Sequence, residues 1–164
     1  MKRKKNSFDK KIFVFLIKFF LIFFILNTII SFLDFQWLNN FVAVVVATIS
    51  FSTSISSIVF VGQQQFIITN YCLGFVSIAM LAALIFSLSK PDIRKKFVVF
   101  VLGAIILFIL NIFRIVMVLF SAKIGFDAQL MHTLSWFLMS AFVLLIWFYL
   151  MLFFSKKKML SDLL

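Results

Sequence analysis

Three side chains of this sequence supply, between them, a nucleophile, a base and a cation. Cys72 is the only cysteine, His132 the only histidine, and Arg114 an arginine set inside a long apolar run. A thiolate is a strong nucleophile, an imidazole moves protons near neutral pH, and a guanidinium stabilises developing negative charge. Cys72 stands in "NYCLGFVSIAM" (70–80), where a polar stretch gives way to an apolar one, and His132 sits at a comparable border. Taken singly, each has a plain reading: a small packing cysteine, a histidine at a helix end, an arginine reaching for headgroups. The chemical reading depends on whether the three face one another.

The elements that would position them are membrane spans. The chain has 164 residues, 65% of them hydrophobic, with one proline and four glycines. Apolar runs near the length needed to cross about 30 Å of hydrocarbon recur along it. A soluble domain of this size has too little interior to hide them. The formal charge of +11 is concentrated in three clusters, in Met1–Lys11, in "KPDIRKK" (90–96) and in "SKKK" (155–158). Basic flanks beside apolar spans mark the cytoplasmic side and favour anionic lipid headgroups, so lipids rather than nucleic acid are the expected partner of this charge.

Clear spans occupy 72–89, 97–121 and about 132–154, with a fourth over about 12–33 in which Lys18 can snorkel. If all three basic clusters are cytoplasmic, everything between residues 34 and 71 must begin and end on the outer face. Residues 39–55 are therefore expected as an interfacial helix, and 57–70, two β-rich pieces around "GQQQ", as a small outer hairpin. The expected fold class is an all-α integral membrane protein. It forms one domain over 1–164, a bundle of about four transmembrane helices with a basic N-tail (1–11) and a basic C-tail (155–164). The alternative is five spans, with 41–61 crossing. The expected location is the cell membrane, multi-pass, with both termini cytoplasmic.

In this topology Cys72 and His132 each open a span on the outer side. Arg114 lies 17 residues beyond Phe97 (114 − 97), roughly 26 Å from the inner boundary and hence near the outer one. An arginine within a span costs at least about 2.5–3.5 kcal/mol and is usually kept for function. Asn111 precedes it by three residues and shares its helix face. A helix N-terminus at Cys72 and a nearby arginine would both stabilise an anion there. Other chemistries are set aside: no second Cys or His for a metal cluster, no CxxC, no glutamate, five scattered aspartates and no Gly-rich phosphate loop. No metal or other cofactor is expected.

"C-x-G" at Cys72–Gly74, "N-x-x-R" at Asn111–Arg114 and a lone His132 opening the last span resemble the exosortase/archaeosortase membrane proteins, over roughly residues 55 to 150. The resemblance implies a Cys-Arg-His cysteine transpeptidase or protease. Its partners would be exported proteins with a C-terminal sorting signal made of a short motif, a transmembrane helix and a basic tail. It implies Cys72 as nucleophile, His132 as general acid/base and Arg114 as stabiliser of thiolate or oxyanion. Gly74 would keep the backbone near the thiol uncrowded, and Asn111 would orient Arg114 or bind the substrate carbonyl. Leu73 departs from the small hydroxyl residue often found at its place, and the chain is expected to be a short member, without the extra N-terminal spans of larger ones. The competing class is a non-enzymatic carrier or assembly subunit, with a polar cleft at Asn111 and Arg114 and a packing cysteine.

Overall fold

In the computed structural model the backbone is described over residues 2–155 and the side chains over 10–154. The basic C-tail beyond residue 155 lies outside the described residues. Five α-helices frame the chain: α1 (Lys2–Phe32), α2 (Gln36–Ile49), α3 (Phe75–Ser87), α4 (Ile93–Lys123) and α5 (Ala128–Ser155). Between α2 and α3 lie three short strands, β1 (Thr53–Ile55), β2 (Ile58–Val61) and β3 (Gln64–Ile67), followed by a 3-10 turn over Asn70–Leu73.

Three segments are long and apolar enough to cross a bilayer, Lys10–Phe32, Ile93–Lys123 and Ala128–Phe154. Each exceeds the roughly 30 Å of a hydrocarbon core at 1.5 Å per residue. They are rich in Phe, Leu and Ile, and proline is missing from all three. Large apolar side chains cover their outer surfaces, with Phe24 63% and Phe137 74% exposed. In water such a surface would be an aggregation hazard; facing acyl chains it has its natural solvent.

α3 is the axis of the bundle, packed against α1, α4 and α5. Its alanines Ala79, Ala82 and Ala83 are buried and let the neighbours approach closely. One apolar core surrounds its lower part, joining Leu81, Leu84 and Ile85 to Val99 and Leu107 of α4 and to Met139, Val143 and Met151 of α5. A second core lies beyond its N-terminal end, where Val42 and Val46 of α2, Val59 of β2 and Leu73 meet Ile115 and Leu119 of α4.

Four boundaries differ from the sequence expectation. The helix expected at 39–55 runs from Gln36 to Ile49. Its Ser/Thr-rich end, whose β-branched and hydroxyl side chains fit a strand better, becomes β1. The expected hairpin is thus a three-stranded antiparallel sheet, order β1-β2-β3. The run 72–89 is not one helix: only 13 residues are α-helical, because Gly74, with φ 77°, turns the chain through the left-handed region. Finally, α5 begins at Ala128, so His132 lies in its second turn instead of opening it. The start is set by Asp127, whose Oδ1 accepts from the amides of Gln129 (2.8 Å) and Leu130 (3.3 Å).

Candidate active site

The site is built from the 3-10 turn upward. The amide of Cys72 donates to Thr69 O at 2.8 Å, and the Thr69 hydroxyl lies 3.6 Å from Cys72 Sγ. The thiol therefore sits on the 3-10 turn, and the N-cap of α3 is Gly74. This corrects the expectation of a cysteine at a helix N-terminus: the cation on α4 is the group placed to act on the sulfur. Asn70, two residues earlier, fixes the turn from the other side. Its Oδ1 accepts from buried Asn39 at 2.9 Å, and its Nδ2 donates to Leu33 O at 3.2 Å.

Asn111 joins the turn to α4. It is 1% exposed, its Nδ2 donates to Cys72 O, and its Oδ1 accepts from Arg114 Nη1 at 3.1 Å. Both ends of the amide are thus used inside the protein. These bonds tie Asn111 to Arg114 and to the Cys72 carbonyl. Gly74 lies against the same amide: a Cβ there would come within 2.9 Å of Asn111 Cγ. No residue with a side chain fits without moving Asn111.

Arg114 is 8% exposed. Its Nε donates to Ser135 Oγ at 3.0 Å, and Ser135 Oγ in turn donates to His132 O at 2.7 Å. The guanidinium carbon stands 5.3 Å from the centroid of the Trp136 ring, a cation–π distance. Among the described residues no carboxylate pairs with it, and it shares a cleft lining with Cys72 and His132. Ser135 and Trp136 were not singled out from the sequence. The available signal was their spacing of three and four from His132, which places all three on one face of α5.

Cys72, Arg114 and His132 line one cleft of about 140 Å³. Phe66, Ile67 and Ile68 form one wall, and Ile115, Val118 and Leu119 of α4 the other. The thiol is half-buried, and the His132 imidazole makes no hydrogen bond to another described residue. A thiol, an imidazole and a cation held by neutral partners can together attack, protonate and stabilise a carbonyl centre. Arg114 also lines an apolar groove of about 300 Å³ between α4 and α5, which includes Met117, Met131 and Met139. Comparison with family models, with curated proteins and with solved structures returns no match.

Proposed function

We propose that the protein is a membrane-embedded cysteine transpeptidase or protease that cleaves C-terminal sorting signals of exported proteins at the outer membrane face. The observation that carries this reading is the shared cleft: Cys72, Arg114 and His132, from three separate elements, line one cavity. The resemblance of "C-x-G", "N-x-x-R" and the lone histidine to the exosortase/archaeosortase proteins points the same way.

In this mechanism Cys72 Sγ attacks the scissile carbonyl as its proton passes to His132. Arg114 stabilises the oxyanion of the tetrahedral intermediate. The C–N bond breaks, His132 returns the proton to the leaving amine, and a thioacyl-enzyme is left. An acceptor amine or water then attacks the thioester and gives its proton to His132, the C–S bond breaks, and His132 returns that proton to the sulfur. Asn111 holds Arg114 and the Cys72 carbonyl in one register.

A four-span topology with both termini inside accompanies this proposal. α3 alone, at 13 residues, covers only about 20 Å. That is short of a hydrocarbon core of about 30 Å, so the fourth crossing rests on the placement of the three basic clusters along the sequence.

The test is reaction of the single thiol in intact cells with a membrane-impermeant maleimide, together with processing of a C-terminally anchored substrate. Labelling from outside, slowed by Arg114→Ala, and loss of processing in Cys72→Ser are expected. Labelling only after detergent, or processing that survives Cys72→Ser, would overturn the proposal.

A further inference from the structure

The cleft is bordered by a strand with one open side. In the β1-β2-β3 order, β3 pairs only with β2, in the register Val59↔Phe66 and Val61↔Gln64. Ile68 continues the ladder by donating to Ser57 O at 2.8 Å. Antiparallel pairing alternates, so the backbone groups of residues 64, 66 and 68 face β2, and those of Gln65 and Ile67 face away. Those outward N–H and C=O groups make no hydrogen bond among the described residues, and β2 is the one element against which β3 packs extensively. Both residues are exposed, Ile67 at 62%. An open edge of this kind is a template for another strand. Here it is short, it directly precedes the 3-10 turn bearing Cys72, and Phe66, Ile67 and Ile68 wall the cleft that holds the thiol.

The cleft also indicates what lies along the edge. Its one permanently charged lining residue is Arg114, and no acid lines it. That charge complements the oxygens of a peptide backbone and disfavours a basic segment. We infer that β3 binds the substrate as an added strand: an extended, non-basic peptide segment hydrogen-bonds to Gln65 and Ile67, which sets its scissile carbonyl over Cys72. This assignment rests on the transpeptidase reading for the chemistry, while the docking itself is a separate property of the edge.

The test uses the full chain in nanodiscs and compares two reagents carrying the same reactive group. One is a short peptide of alternating Val and Thr ending in a chloromethyl ketone; the other is chloroacetone, which has no peptide. With each, a Cys72 Sγ–C bond forms, the C–Cl bond breaks, chloride leaves and the thiol proton goes to solvent. The readout is the ratio of the two alkylation rates. Two isomers of the peptide, N-methylated on one or the other alternating set of amides, replace the parent in turn. The isomer methylated on the β3-facing set should lose about ten-fold in the ratio, as expected for backbone hydrogen bonds forfeited, and the other isomer should retain it. Ile67→Pro removes an outward N–H while sparing the inward ladder, and should lower the parent's ratio similarly. Isomers that both keep or both lose the ratio, or a ratio unmoved by Ile67→Pro, overturn strand addition. The reading of Cys72 as an activated nucleophile fails by a different sign, a chloroacetone rate insensitive to Arg114→Ala, whatever the isomers show.

Discussion

Two buried cations of α4, one at each end of the bundle, are used in different ways. Lys96, 8% exposed, donates its ammonium to Leu88 O, the carbonyl that ends α3. It serves as a cap: a positive charge at a helix C-terminus meets unpaired carbonyls and the negative end of the helix dipole. Arg114 is buried to the same degree, yet it touches no helix end. It is held by two neutral side chains and an aromatic ring, and it faces two cavities. Lys123 sides with Lys96, donating to Ser50 O and Phe51 O where α2 stops. Burial of a cation in a membrane bundle is therefore not in itself a sign of function. The three differ in what their donors meet: Arg114 alone of these three has no backbone carbonyl among its hydrogen-bond acceptors.

Breaking that contrast should give effects of descending size. Arg114→Met should reduce substrate processing by about 10²–10³-fold, the usual consequence of losing one oxyanion donor. The measurement is a pulse-chase of an anchored substrate, and a smaller loss than ten-fold would move Arg114 into the class of Lys96. Asn111→Leu should cost about 1–3 kcal/mol, because it unpairs both Cys72 O and an Arg114 N–H; thermal unfolding in detergent reads the stability, and the Cys72 alkylation rate should fall in parallel. Lys96→Met should destabilise by about 1–2 kcal/mol through the orphaned Leu88 carbonyl and leave the alkylation rate as it was. A slowed thiol in Lys96→Met would erase the distinction between the two ends. The smallest effect belongs to Lys123→Met, about 0.5 kcal/mol or less at an exposed helix end, detectable as increased proteolysis near residues 50–53.

Much of this contrast was hidden in the sequence. Lys96 reads there as one more member of a cytoplasmic charge cluster, because a flanking position says nothing about which way a long flexible stem folds. Arg114 was legible as a residue of interest, since a guanidinium inside so apolar a run must either reach the headgroups or be held by the bundle. The long spans were legible for the same reason of unbroken composition. The shortness of α3 was not: residues 72–89 are mostly apolar with three scattered serines, and nothing local shows that Gly74 takes the left-handed conformation beside Asn111, 37 residues away (111 − 74). β1 was missed because its "TSI" reads equally as a polar helix end. Counting residues brought Cys72, Arg114 and His132 to one expected level, and the structure has the three lining one cleft. Ser135 and Trp136, which hold the guanidinium on α5, share a helix face with His132 in the sequence, but that this face meets Arg114 follows only from the packing of α5 on α4.

The contact between Gly74 and Asn111 has a consequence for how the sequence can drift. Every replacement at 74 adds a Cβ that both opposes φ 77° and enters the space of Asn111. Making room by shortening Asn111 first would unpair the Cys72 carbonyl and release Arg114. Neither position can therefore change alone at low cost, and neither order of two changes has a harmless intermediate. The pair is a ratchet: a lineage that keeps the thiol turn keeps both residues, and one that has lost either should show the Cys72, Arg114 and His132 positions decaying together.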